Sequence, residues 1–244
     1  MDTHKKQLRV ALIWIVVYVV AASIGEQLNG VIGLQGAVTA PIGLLLTVAL
    51  CLYLGRNKLF SAYGFSGFSQ FPFRQALYCL PMIALATVNL WRGGAIRFST
   101  LEMALYILFM LCTGFVEEVL FRGFLFKAML SQGTGAAVLV SSLTFGLGHI
   151  VNLLNGAELL PTLLQLVYAM AIGLMLSVFV LRTGNIIPCI GFHSIFNALS
   201  AFSNEAGTTD GYRVTICVII TAVALGYAAW LWFRLGKGKR ESIA

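Results

Sequence analysis

Apolar residues fall into eight runs along the chain, at 8–24, 31–54, 76–91, 102–130, 136–150, 159–181, 186–202 and 214–233, with Gly, Pro, Asn and Ser punctuating the gaps. Most runs are too long for strands and none alternates strictly between apolar and polar positions, so each predicts a helix and argues against an outer-membrane barrel. About 20 such residues cross a bilayer. The expected fold is therefore all-α, a polytopic transmembrane helix bundle of about eight transmembrane helices. Residues 1–244 make a single transmembrane domain, with no room for a soluble one.

Composition agrees. Of the residues, 59% are apolar and only 10% charged, with a mean hydropathy of +0.90, whereas a soluble domain carries about 25% charged residues. A cytosolic enzyme, a disordered chain and a coiled coil are set aside. The net charge of +7, from 16 Lys and Arg against 9 Asp and Glu, lies in short clusters at the ends of the runs, which is topology and not a nucleic-acid surface. The lipid bilayer is the expected partner, and nucleic acid is not. Cys51, Cys79, Cys112, Cys189 and Cys217 show no ligand spacing and read as small apolar side chains.

With the N-terminus inside, Lys5, Lys6, Arg9, Arg56, Lys58, Arg74, Lys127, Arg182, Arg234, Lys237, Lys239 and Arg240 fall on the inner side, 12 in all; Arg92, Arg97 and Arg213 fall outside, 3 in all. The positive-inside rule then places both termini in the cytoplasm of a multi-pass cell-membrane protein. Residues 8–22 also fit a cleaved signal-peptide core, with Ala21, Ala22 and Ser23 following, but the next run comes almost at once and they read as the first span.

The informative positions are polar residues inside apolar runs. Glu117, Glu118 and Arg122 share the fourth run, and an uncompensated charge at mid-membrane costs about 2.5–3.5 kcal/mol on insertion scales. Glu118 and Arg122 are four apart with the acid first, the favourable order for a pair on one helix face. Glu117 points about 100° away and needs a polar cavity or a second partner. His149 ends the fifth run, where Gly146 and Gly148 leave room for close approach, and His193 shares a face of the seventh with Asn197. Glu117 lies 13 residues before Leu130 and His149 lies 13 after Ala136, so around a turn at 131–135 the two stand level, about 20 Å from it. With His193 seven residues into its run, the three are expected to surround one cavity opening toward the cytoplasm.

Glu117-Glu118-x-x-x-Arg122, then Phe145-x-x-x-His149, then His193-x-x-x-Asn197 resemble, in order and in helical context, the three motifs of the CAAX-protease and bacteriocin-processing (Abi) family of intramembrane endopeptidases. The resemblance covers about 102–200, including Thr183-Gly184-Asn185-Ile186-Ile187-Pro188, which is similar to the family's lead-in to its last motif. It implies hydrolysis of a peptide bond within the membrane. Glu117 would be the base that activates water, assisted by His149, while His193 and Asn197 would donate to the oxyanion and Glu118 and Arg122 would support the helix. The residue types suit that work: a carboxylate takes a proton from water and returns it to the leaving amine, and Asn and His donate where negative charge develops.

Glu117, His149 and His193 are also the ligand types of a catalytic site for a divalent metal such as zinc, which would supply the nucleophilic water and leave Glu118 as a base. The metal-free arrangement stands slightly ahead of it. Two other functions fit the same composition: a proton-coupled transporter, with Gln165, Tyr168 and Asn89 extending its path, and a non-proteolytic scaffold or bacteriocin-immunity protein of the same fold. The transporter lacks the inverted repeat and paired interrupted helices expected of it. The compact chain and short loops look bacterial, which favours a membrane-associated peptide or protein as substrate over a prenylated one.

The charge partition predicts that the loop 55–75 faces the cytoplasm and that 93–99 and 203–213 face outward. In a cysteine-free background, an impermeant thiol reagent applied outside should leave Gly238→Cys unlabelled; labelling there would reverse the assignment.

Overall fold

The computed structural model describes residues 3–65 and 77–234; Ala76, the loop beyond Phe65, and Arg74, Lys237, Lys239, Arg240 and Gly238 of the topology argument lie outside the described residues. Every apolar run becomes helical. The helices are α1 (Thr3–Ile32), α2 (Thr39–Arg56), α3 (Leu80–Ala86), α4 (Thr100–Glu118), α5 (Thr134–Gly148), α6 (Leu159–Thr183), α7 (Ile187–Leu199) and α8 (Asp210–Arg234). Short 3₁₀ turns flank α3, and others extend α5 over His149–Asn155 and α7 over Ser200–Phe202. Helix α4 runs on through a π-helical stretch, Val119–Leu125, and a last turn at Phe126–Met129.

Six of these segments are long and apolar enough to cross a membrane, α4 and α5 with their extensions; Leu77–Leu90 and Ile187–Phe202 are shorter apolar helices. The expectation of about eight spans is met, among the described residues, as eight helices, of which six have span length. Pro81 and Pro188 stand in the first turns of α3 and α7, where a missing N–H costs nothing. Helix α1 also departs from its run, continuing past residue 24 to Ile32. The polar residues that look like a loop are used inside the helix: Asn29 donates to Thr39 Oγ1 at 2.9 Å and accepts the Val38 N–H at 2.8 Å, tying α1 to the start of α2.

The connections gather at two ends. At one, His4 lies 2.9 Å from Ser131 Oγ, and the Ile186 N–H donates to the Gly64 carbonyl. At the other, Gly94 bridges Ser203, Arg97 pairs with Glu205 at 2.7 Å, and the Gln35 N–H reaches Glu102. The described basic residues thus separate as the charge count requires, with Arg56, Lys58, Lys127 and Arg182 toward the first end and Arg92, Arg97 and Arg213 at the second.

Two apolar clusters build the bundle. One centres on α6, whose Met175, Leu176 and Phe179 are fully buried among residues of α3, α7 and α8. The other locks Ala11 of α1 and Leu50 and Leu54 of α2 against Val116, Val119, Leu120 and Phe124. Outward-facing Val16, Val20, Leu45, Val218 and Leu225 make the surface a bilayer would cover. The seam between the clusters is where α4 meets α7, and there the backbones nearly touch. A Cβ on Gly114 would stand 2.5 Å from the Ser194 backbone nitrogen and side-chain oxygen, while Ser194 Oγ donates to the Leu111 carbonyl at 3.1 Å.

Gly114→Ala should therefore push α7 away from α4. The overpacking is expected to cost about 1–3 kcal/mol, lowering the melting temperature of the purified protein in detergent, and to abolish whatever activity depends on residues shared by the two helices. A variant with wild-type melting behaviour would show that the helices are not held this closely.

Candidate active site

Glu117 and Glu118 end α4 just before the π stretch begins, and both are buried, at 7% and 0% exposure. Adjacent positions on a helix diverge by about 100°, so the two acids find different surroundings. Glu118 Oε1 receives Arg122 Nη1 at 2.8 Å and lies 2.8 Å from His193 Nδ1. Arg122, itself fully buried, lays its guanidinium over the Phe145 ring at 4.2 Å, a contact worth roughly 2 kcal/mol where water is excluded. The ion pair foreseen between Glu118 and Arg122 is present and has a third member in His193.

Glu117 looks toward α1 and the bundle interior. Tyr18 donates its hydroxyl to Glu117 Oε1 at 2.6 Å, and His193 Nε2 lies 3.3 Å from Glu117 Oε2. The imidazole is thus held between the two carboxylates, Nδ1 on Glu118 and Nε2 beside Glu117. This follows from the close packing at Gly114, which brings the residue before Ser194 to the level of both acids.

Phe145 organises the group. Its ring meets His149 at 5.3 Å, His193 at 5.5 Å and Phe121 at 5.3 Å, each edge to face, besides the guanidinium of Arg122. The π stretch opens backbone carbonyls that regular helix would use internally, and Ser141 of α5 donates to that of Phe121 at 2.8 Å. On the α7 side, Gly184 in the left-handed conformation (φ +68°) stops α6, and Asn185 Oδ1 accepts the Ile187 N–H at 2.9 Å to start α7. The Thr183–Pro188 lead-in is therefore a helix stop followed by a helix start.

A cavity of about 610 Å³ opens from this group, lined by Tyr18, Glu117, Phe145, His149 and Asn197, and by Asn89, Gln165 and Tyr168. His193 is not on its wall; it stands behind Glu117, at 5% exposure. The ring nitrogens of His193 lie 2.8 Å from Glu118 Oε1 and 3.3 Å from Glu117 Oε2, whereas Asn197 faces the space. Gly148 lines the cavity beside His149, while Gly146 packs instead against Met170 of α6.

The cavity also differs from expectation in direction. Its wall continues to Glu26, Gln35, Asn155, Ala157 and Ser200, at the helix ends opposite the 131–135 turn. On the turn side it is closed by Glu118, Leu120, Arg122, Phe124 and Leu125, all at 2% exposure or less. An opening toward the end that carries the N-terminus is therefore not what the chain builds.

Among the described residues no group of three or more His, Cys, Asp or Glu is placed to hold a metal ion. Two contributors carried no motif signal. Tyr18 and Gly114 are an ordinary aromatic and an ordinary small residue in apolar helices, although a hydroxyl in mid-run at Tyr18 was a visible cue.

The bundle and its buried acid–histidine group define a polytopic membrane protein with a closed-bottomed polar cavity. Residues 98–199 match the family model described as Type II CAAX prenyl endopeptidase Rce1-like. That stretch runs from the start of α4 through α7 and holds all three motifs, so the likeness to CAAX proteases read from them is borne out over it. The chain showed no match to a curated protein or to a solved structure.

Glu118→Gln removes the charge that receives both Arg122 and His193. Breaking a buried pair costs about 3–5 kcal/mol, so this variant should melt well below wild type, whereas Glu117→Gln, which keeps its size and the Tyr18 contact, should melt near it. Equal melting temperatures would mean that Glu118 is not the anchor of the group.

Proposed function

We propose that the protein is an intramembrane endopeptidase that hydrolyses a peptide bond of a membrane-associated peptide or protein, with Glu117 as the base. The observation that carries this reading is the division of labour between adjacent acids: Glu118 is sealed against Arg122 and His193, while Glu117 reaches the polar cavity. A water beside Glu117 gives it a proton and attacks the carbonyl carbon. Asn197 donates to the oxyanion that forms, and the proton held by Glu117 passes to the leaving amine as the C–N bond breaks. His149, on the same wall, assists the water. His193 positions Glu117 and offers Nε2 as a proton partner to Oε2, and Tyr18 fixes Oε1.

No metal is assigned a step. Were a divalent metal such as zinc held there, Glu117, His149 and His193 would be its ligands and it would supply the nucleophilic water. The closed end of the cavity argues against a transport path through Asn89, Gln165 and Tyr168, since Glu118, Arg122 and Phe124 fill the route onward. The positive-inside assignment is kept within the proposal: both termini are cytoplasmic, and the cavity then faces the outer side.

Glu117→Gln should abolish cleavage of a test peptide while the protein stays folded. Asn197→Ala should lower kcat about 10²–10³-fold with little change in melting temperature. Tyr18→Phe removes one donor to a carboxylate and should lower kcat about 10- to 100-fold. Substantial turnover by Glu117→Gln, with Glu118→Gln folded and inactive, would exchange the roles of the two acids; activity in all the variants would remove this site from catalysis.

A further inference from the structure

The cavity wall contains two carboxylates, Glu117 at its inner end and Glu26 toward its mouth, and no Lys or Arg among the described residues that line it. Glu26 belongs to a helix of span length, where an ionisable residue points by default to a partner or a function. Its contacts within the chain are weak: Asn29 Nδ2 at 3.3 Å and Gln35 Nε2 at 3.4 Å, both neutral amides. Arg97, near the rim, is committed to Glu205 at 2.7 Å and to the Ser200 carbonyl at 2.8 Å. The remaining polar lining is neutral, with Asn152 and Gln165 bonded to each other at 2.9 Å.

Position gives the second part of the argument. Tyr18, Ala22 and Glu26 follow one another at helical spacing along the cavity-facing stripe of α1. Eight residues separate Tyr18, which touches Glu117, from Glu26, an axial distance of about 12 Å. An extended peptide covers that distance in three to four residues, at roughly 3.3 Å each.

We infer that Glu26 is a specificity determinant that receives a positively charged side chain three or four residues from the scissile bond of the substrate. This rests on the peptidase reading of Glu117. A cationic residue there gains an otherwise uncompensated carboxylate, and an anionic one meets two acids and no cation.

The test uses the full-length protein in detergent micelles and matched peptides carrying Lys, norleucine or Glu at the third and fourth residues on either side of the cleaved bond. In the wild type, Lys at one of these positions should raise kcat/KM over norleucine by about five- to tenfold, through KM. The ratio should fall to near one in Glu26→Gln, invert in Glu26→Lys and persist in part in Glu26→Asp. A wild-type ratio near one at every position, or a ratio unchanged in Glu26→Gln, overturns the inference while leaving the peptidase reading intact. A folding defect in Glu26→Gln is covered by salt: the wild-type preference must weaken between about 50 and 500 mM, and a salt-independent preference counts against it. Absence of any cleavage by the wild type would sink the peptidase reading instead. Anisotropy titrations of the same peptides with Glu117→Gln then still decide the charge preference, equal affinity for Lys and norleucine peptides overturning it.

Discussion

Neutralising three charges inside a bilayer is the constraint around which the rest of the molecule is arranged. Glu118, Arg122 and Glu117 lie within six residues of one another on a single helix, and all three are buried. Arg122 supplies one positive charge by a contact local to its own helix. The remainder comes from elsewhere in the chain: an imidazole from α7, a phenol from α1 and an aromatic face from α5. Bringing these groups together goes with the close meeting of α4 and α7 at a bare Cα and with the sharing of Phe145 by both histidines and the guanidinium.

That arrangement makes stability and chemistry separable at neighbouring positions. The acid with no access to the cavity carries the packing, and the acid with access is the one proposed to exchange a proton. A buried pair alone is weak evidence for stability, because desolvation offsets much of the attraction. Here its role is better described as orientation. By holding Nδ1 of His193, Glu118 fixes which nitrogen of the ring faces Glu117.

Much of this was legible in the sequence because polar residues in apolar runs are conspicuous. Glu117, Glu118, Arg122, His149, His193 and Asn197 stand out by the cost of placing them in lipid, and equal distances from a turn put Glu117 and His149 on one wall. What was hidden is what apolarity disguises. In a uniformly apolar run the 3.6-residue period is faint, so the π stretch at Val119–Leu125 leaves no trace in the pattern. Tyr18 and Gly114 look like any aromatic or small residue of a membrane helix. Glu26 and Asn29 misled in the opposite sense: polarity at 26–30 reads as a loop, yet both residues sit in α1, one on the cavity wall and the other fastening α2. The direction of the cavity was missed because depth from a turn gives a level and says nothing about which side is hollow.

The spacing of the partners along the chain also sets a schedule for biogenesis. Tyr18 precedes Glu117 by 99 residues and His193 follows Glu118 by 75. At synthesis rates of about 5–20 residues per second, the acids of α4 wait roughly 4–15 s for their histidine. During that interval the pair four residues apart is the only full neutralisation available, since it is carried by one helix and needs no neighbour. The arginine is therefore as much an insertion device as a structural one: it lets α4 leave the translocation machinery as a nearly self-compensated unit, ahead of the helix that will complete it.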